Sequence, residues 1–355
     1  MTLKKIYIAT GFCADKKGEE SHYPQVGLQS SSLKFQQIYL KCIVVFFATS
    51  IRHNSNAHHV LCTNLDKLPD IGNTETEKLL EQIGVEIVRL PFTFQPPEKY
   101  FDSWKSTFYK LDLIKYFSRT CDRNEAAFCL DSDCVWIDSI EGLAAEIQRS
   151  GYVTYNTGFN EKYKISHLNR RDLSKLYREL GLSLNEEIPV YCGAELIAAK
   201  DKNFQKLLGE IERGWEFSLE QFRQNKTKFN TEEHLLNFAY NSLQAPLGNG
   251  NPYIDRIWTT LGGFNNASDR HLNLTIWHLP FEKKYGFKRL FEKVVDFQSE
   301  FWQVPEKELA GYLSRFFGIP KRTPQKLIVD SIDALSYRST KIMAKILPTG
   351  VSKNS

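Results

Sequence analysis

The chain has 355 residues and a net charge of +4, with 42% hydrophobic and 25% charged residues. This composition excludes an intrinsically disordered chain and predicts a core large enough for one α/β domain with an appendage. The small net charge does not indicate a nucleic-acid-binding protein, which would concentrate basic residues on one face.

The cysteines and the N-terminus predict a cytoplasmic protein. The cysteines number seven, and no two of them have the C-x-x-C spacing of a metal site, so we expect reduced thiols. Lys4 and Lys5 precede only a short strand-like run, which is shorter than the hydrophobic region of a signal peptide. The most apolar stretch, 42–48, falls far short of the roughly 20 residues of a membrane-spanning helix.

Short apolar runs alternate with amphipathic segments along the chain. The runs predict buried strands at 5–10, 59–63, 85–90, 126–130, 190–199 and 274–278. Apolar residues at helical spacing predict helices at about 35–46, 75–83, 104–117 and 231–240. This order predicts an α/β fold with a mostly parallel sheet, in which ligands bind beyond the carboxyl ends of the strands.

The C-terminal part of the chain has a different character. We predict an α/β domain over 1–290 and a helical extension over 291–355, with breaks at Pro305 and Pro320. From Lys321 onward, seven basic and two acidic residues give a balance of +5. Apolar residues recur at helical spacing over 326–347. Such a helix either lies on an anionic membrane surface or docks its apolar stripe on the rest of the protein.

Two carboxylates follow the predicted strand 126–130. Asp131 and Asp133 flank Ser132 at the strand's carboxyl end, where a D-x-D pair can coordinate a divalent cation that in turn holds a diphosphate. The pattern alone is weak, because short acidic turns are common on protein surfaces. A solvated turn is therefore the alternative.

The surrounding residues resemble a known enzyme family. The run 130–138 (LDSDCVWID) resembles the "LDxDxxV" signature of GT-A glycosyltransferases, most closely those of family 8, which includes glycogenin. Residues 107–111 resemble that family's "TxxKL" segment, and 232–237 its "DQxxLN" segment. His278 and Lys284 match the spacing in its "HFxGxxKPW" motif. The resemblance spans about 5–287 and implies a GT-A (Rossmann-like) fold.

The resemblance implies a role for each matched residue. It assigns the metal to Asp131, Asp133 and His278, the nucleotide-sugar donor to Thr10, Gly11, Lys110, Ser132 and Lys284, and catalysis to Glu195, Glu232 and Glu233. Each has a structural alternative: a solvated lysine, a turn glycine, carboxylates at a helix start, or a histidine of the core. The sequence departs from the family at Gly193-Ala194-Glu195 (family "NSG"), at Glu232-Glu233, and at the missing glycine and tryptophan of the last motif.

The implied function is that of a hexosyltransferase-like enzyme. It would use Mn²⁺ or Mg²⁺ and move a sugar from a nucleoside diphosphate donor, expected to be a UDP-sugar, to an acceptor hydroxyl with retention of configuration. Glu195 or Glu232 would shield the oxocarbenium-like charge or form a transient bond to the sugar. The alternative is an inactive protein that binds nucleotide sugars or glycans. A nucleotidyltransferase is disfavoured, because no glycine-rich basic loop follows the first strand.

The acceptor stays open among a saccharide, a lipid-linked glycan and a protein. The polar, basic segment 156–189 is expected to shape its binding site.

Overall fold

The computed structural model describes residues 3–184, 188–243, 245–261 and 263–346, with the backbone alone from 336 to 346. Its strands are β1 (Lys5–Phe12), β2 (His58–Thr63), β3 (Val85–Arg89), β4 (Glu125–Leu130), β5 (Cys134–Trp136), β6 (Tyr152–Asn156), β7 (Cys192–Lys200), β8 (Gly248–Asn249), β9 (Ile254–Arg256) and β10 (Ile276–His278).

The helices surround these strands. They are α1 (Leu33–His53), α2 (Thr76–Gln82), α3 (Tyr109–Thr120), α4 (Glu141–Ser150), α5 (Arg170–Glu179), α6 (Asn203–Arg223), α7 (Glu232–Ser242), α8 (Gly286–Val294), α9 (Glu300–Gln303), α10 (Glu306–Phe317) and α11 (Pro324–Ile346). Short 3₁₀ helices lie at Lys105–Phe108, Asp269–Asn273 and Glu282–Lys284.

The main sheet has the strand order β3-β2-β1-β4-β7-β6-β8. The four strands β3, β2, β1 and β4 are parallel, whereas β7 runs antiparallel to both β4 and β6. Parallel strands covered on both faces are apolar along their whole length, and every residue of β4 is buried. The predicted α/β class, with helices following it at the C-terminus, is confirmed.

A small second sheet places polar residues beside the carboxyl end of β4. Its order is β5-β10-β9. Strand β5 begins directly after the D-x-D run, and its pairing with β10 sets His278 opposite Cys134. The parallel pairing of β10 with β9 then sets Arg256 opposite His278.

Each strand predicted from the sequence is present, with its bounds shifted by a few residues. The strands that were not predicted are β5, β6, β8 and β9, and three of them, β5, β8 and β9, have only two or three residues, too few to show a period. The segment 156–189 contains α5, whose Asn169 and Asp172 form a capping box. Residues 185–187 of that segment lie outside the described residues.

The helices after residue 290 share a hydrophobic core with α1 and the sheet. Phe291, Leu309, Leu313 and Phe317 belong to the same buried cluster as Ile8 of β1. None of the described helices combines the length and the hydrophobicity needed to cross a membrane.

Over 324–335, where its side chains are described, the last helix, α11, docks through charge rather than through its apolar residues. Thr323 Oγ1 accepts a hydrogen bond from the Lys326 amide, and Pro324 occupies the first helical position, as is common at helix starts. Lys326 and Asp330 are buried, whereas Ile328 and Ile332 are 61% and 60% exposed. The predicted end of this helix, residue 347, lies outside the described residues.

Candidate active site

A cavity of about 420 Å³ opens beside the carboxyl ends of β1 and β4. All the site residues assigned from the sequence, except Lys284, line it: Thr10, Gly11, Lys110, Asp131, Ser132, Asp133, Glu195, Glu232, Glu233 and His278. The topology therefore brings together side chains that lie far apart in the sequence.

The D-x-D pair leaves β4 in a tight turn. The Cys134 amide donates to the Asp131 carbonyl over 3.1 Å, and the Asp131 amide donates to the Glu195 carbonyl over 3.3 Å. The Asp131 side chain is 24% exposed and Asp133 only 5%. Both carboxylates line the cavity, so the structure does not place them in a solvated surface turn.

His278 completes a group of three possible metal ligands. Its Nε2 lies 3.6 Å from Asp131 Oδ2 and 3.4 Å from Asp133 Oδ2. One ligand atom from each of the three residues lies within 4.8 Å of the others. Neighbouring ligands of an octahedral ion with bonds of about 2.1 Å are about 3 Å apart. Small movements of these side chains would therefore let all three bind one ion. Two carboxylates and an imidazole fit Mn²⁺ or Mg²⁺.

Neighbouring charges set the protonation of this group. Burial alone would lower the pKa of His278, but Asp133 and Glu195 outweigh it and raise the pKa to about 9. Burial would raise the pKa of Asp133, but Lys283 and His278 hold it well below its usual range. A cation that binds here must displace the imidazole proton, so we expect binding to weaken as the pH falls.

Lys110 of α3 connects the D-x-D pair to the start of α7. Its ammonium lies 2.5 Å from Asp131 Oδ1 and 3.6 Å from Glu232 Oε1. Burial would lower the pKa of Lys110, but these two carboxylates hold it above its ordinary value. Burial raises the pKa of Glu232, against the opposing effects of Lys110 and of the Thr107 hydroxyl, which donates to it over 2.5 Å. Lys110 is thus a partly buried, paired cation of the cavity wall and not a solvated helix lysine.

Glu195 and Glu233 meet at Arg256. Arg256 donates to the two oxygens of Glu195, each over 2.8 Å, and lies 3.3 Å from Glu233 Oε1. Glu233 also accepts from the Tyr191 hydroxyl over 2.9 Å and from the Ala194 amide over 3.1 Å. The two glutamates therefore belong to one ion-pair cluster, in which Glu195 is buried and Glu233 and Arg256 are partly exposed.

Of the adjacent residues Lys283 and Lys284, Lys283 lines the cavity, whereas sequence spacing assigned Lys284. The Lys283 ammonium is paired with Asp133, and the residue is buried. The Lys284 ammonium lies 3.4 Å from the Val26 carbonyl, and Lys284 does not line the cavity.

Thr10 and Gly11 end β1 at the cavity wall. The Thr10 hydroxyl donates to the Leu130 carbonyl over 2.8 Å and so joins β1 to β4 just before the D-x-D pair. A side chain at Gly11 would come 3.0 Å from Leu113 of α3. Both residues have structural contacts in addition to their place in the wall.

Aromatic side chains form two further parts of the cavity wall. Tyr23, Phe35 and Tyr39 pack together with ring centroids 4.8 to 6.2 Å apart. Phe159 and Tyr163 stack at 4.6 Å, and Tyr163 is 51% exposed. Aromatic faces of this kind can hold a base or a sugar ring.

Sequence reasoning missed Arg256 and Lys283. The only local signal for Arg256 was a charged pair, Asp255-Arg256, between two isoleucines. Lys283 and Lys284 are adjacent lysines that the pattern could not tell apart.

The chain is similar to solved glycosyltransferase structures. An active-site mutant of LgtC is 12% identical over 77% of this chain and 86% of that chain, with a TM-score of 0.46. The galactosyltransferase LgtC with donor and acceptor sugar analogues is 12% identical over 87% and 96%, at 0.47. The bifunctional glycosyltransferase WbbM without ligands is 11% identical over 77% and 45%, at 0.47. No protein-family model and no curated protein matches the chain.

Proposed function

We propose that this chain is a metal-dependent glycosyltransferase that moves a sugar from a nucleoside diphosphate, UDP in the first instance, to an acceptor hydroxyl with retention. The observation behind the proposal is the convergence of Asp131, Asp133 and His278 at the carboxyl end of β4, in the wall of the cavity. In a solvated surface turn, Asp131 and Asp133 would not lie against His278, a buried histidine of the second sheet.

Asp131, Asp133 and His278 would hold Mn²⁺ or Mg²⁺. A bound cation there would supply Lewis-acid stabilisation for the diphosphate leaving group. Lys110 and Lys283 lie beside the two carboxylates, and each can pair with a phosphate oxygen once the donor enters. Ser132, between the carboxylates, and Thr10 and Gly11, at the end of β1, are assigned to the wall that holds the donor.

The sugar itself would lie near the start of α7. Glu232 and Glu233 are the carboxylates there, and fixed negative charge stabilises the positive charge that develops on the sugar ring. Glu232 contacts Lys110, which also contacts Asp131, so its carboxylate lies close to the proposed diphosphate site.

Phe159 and Tyr163, from the segment 156–189, are assigned to the acceptor side. Tyr163 is half exposed at the cavity, and a stacked aromatic pair suits the face of a sugar ring. This surface fits a saccharide acceptor, free or carried on a lipid or a protein.

We also propose a cytoplasmic location and a division into a catalytic domain, 1–290, and a helical extension, 291–355. The free thiols of all seven cysteines support a reducing compartment.

The test of this function is a thermal-shift screen of nucleoside diphosphates with and without Mn²⁺. With UDP at about one hundred times its dissociation constant, we expect a gain of about 2.7 kcal/mol, or roughly 5 °C in Tm. The gain should require the metal. Donor hydrolysis in the same samples separates an enzyme from the alternative, because an inactive binding protein would show the shift without turnover. A UDP shift of equal size without metal would contradict the proposed metal site.

Replacing Lys283 with alanine should weaken UDP binding by about 10- to 100-fold and uridine binding hardly at all. The reason is that its ammonium would pair with the diphosphate, and hydrogen bonds to charged groups contribute about 1.5–3 kcal/mol. Calorimetry with both ligands measures the difference. Lys284→Ala is the matched control, and we expect UDP affinity within about threefold of wild type. If Lys284→Ala had the larger effect, the spacing in the sequence would be the better guide to this site.

A further inference from the structure

The Glu195 carboxylate is bound by Arg256 and is not free to react with a sugar. Both of its oxygens accept hydrogen bonds from Arg256, each over 2.8 Å, and its side chain is 0% exposed. A carboxylate in a bidentate pair must break two charge-assisted hydrogen bonds before it can attack a sugar carbon.

Gly193 of β7 leaves the space that the Glu195 carboxylate occupies. A Cβ atom at Gly193 would lie 2.0 Å from Glu195 Oε2, so only glycine leaves room for the side chain to fold back along its own strand. Any side chain at 193 would push Glu195 away from Arg256 and His278.

The carboxylate also determines what His278 can do. Glu195 Oε1 lies 3.3 Å from His278 Nδ1, on the side of the ring opposite to the Nε2 that faces Asp131 and Asp133. A carboxylate at Nδ1 keeps a proton on that nitrogen, so the proton that a bound cation displaces is the one on Nε2, whose lone pair then faces the metal site.

We infer that Glu195 is a positioning residue, which is held by Arg256 and fixes the ring orientation and tautomer of His278 as a metal ligand. The inference rests on the proposed metal site, and it replaces direct catalysis by Glu195. Its role follows from three cross-strand registers: β4 with β7 sets Leu130 opposite Leu196, β5 with β10 sets Cys134 opposite His278, and β10 with β9 sets His278 opposite Arg256.

Glu195→Gln should weaken Mn²⁺ binding by about 10- to 100-fold, as loss of such a partner to a ligating histidine does. Electron paramagnetic resonance of free Mn²⁺ measures the affinity without reference to activity. In a His278→Ala background, Glu195→Gln should lower Mn²⁺ affinity little further, because the histidine through which Glu195 acts is gone. Glu233→Gln is the control: it removes an equal charge and the more distant of the two carboxylate partners of Arg256, whereas the carboxylate at His278 Nδ1 is that of Glu195. We expect it to keep Mn²⁺ affinity within about threefold.

The tautomer can be measured in the wild-type chain, without a variant that has to fold. With ¹⁵N-labelled histidine and Mg²⁺, the His278 spectrum should show a protonated Nδ1 and a metal-bound Nε2. A protonated Nε2 in the Mg²⁺-bound chain would overturn the inference. So would a loss of Mn²⁺ affinity from Glu195→Gln that is equal with and without His278. Either outcome would leave the glycosyltransferase proposal intact. Failure of the wild-type chain to bind Mn²⁺ would overturn both.

Discussion

Asp131→Asn should lower sugar transfer by at least about a thousandfold, close to 4 kcal/mol of transition-state stabilisation, and leave the fold intact. The amide lacks the negative charge that holds a divalent cation. Its side chain is 24% exposed, so little core packing is lost, and Lys110 keeps Glu232 as a partner. Donor hydrolysis and Mn²⁺ affinity measure the effect, and thermal unfolding checks the fold.

Asp138→Asn is the matched control for this prediction. Asp138 belongs to the same run after β4 but is exposed and does not line the cavity. We expect its turnover to stay within about twofold of wild type, as for most surface substitutions. Asp133→Asn should abolish transfer as well, but it should also lower stability by about 3 kcal/mol, because Lys283 would stay buried without its partner. Near-normal turnover in Asp131→Asn would refute the metal site.

Truncation after Pro320 should destabilise the whole protein by about 3–5 kcal/mol, the usual cost of breaking a buried ion pair from one side. The cause is the tail ion-pair network, formed by Glu282, Arg289, Arg322, Lys326 and Asp330. Lys326 lies 2.8 Å from Glu282 and 2.9 Å from Asp330, and Arg289 lies 2.6 Å from Asp330. Truncation would leave Glu282, which is 0% exposed, next to the cavity residue Lys283 without its cation. Chemical denaturation of the intact and truncated chains measures the loss.

Truncation after Leu335 is the matched variant, and it also tests the proposed membrane contact. It keeps the tail ion-pair network and removes Arg338, Lys341, Lys345 and Lys353. We expect stability within about 1 kcal/mol of the intact chain. Each cation near an anionic surface contributes about 1 kcal/mol, so sedimentation with anionic vesicles should disappear in this variant and fade with salt in the intact chain. If the intact chain does not sediment with anionic vesicles, the predicted membrane contact is wrong.

Sequence alone located six of the ten described strands and one end of the site. Local patterns suffice where an apolar run of five or six residues fills a strand, and the chain direction then fixes that Asp131 and Asp133 leave β4 at its carboxyl end. Lys110, Glu232 and His278 could be named only through the family resemblance, because nothing within a few residues of each distinguishes a site residue from a structural one.

Tertiary structure decided which charges meet. Arg256 of β9 contacts Glu195 and lies opposite His278 through the pairing of β9 with β10, and such pairing depends on residues that are distant in the sequence. The same holds for α11. Its helical spacing predicted an apolar stripe that either faces a membrane or docks on the protein, but among its described side chains the buried ones are Lys326 and Asp330, because charges with well-placed partners can be buried. Periodicity reports the hydrophobicity of each residue, whereas burial of a charge depends on a partner elsewhere in the chain.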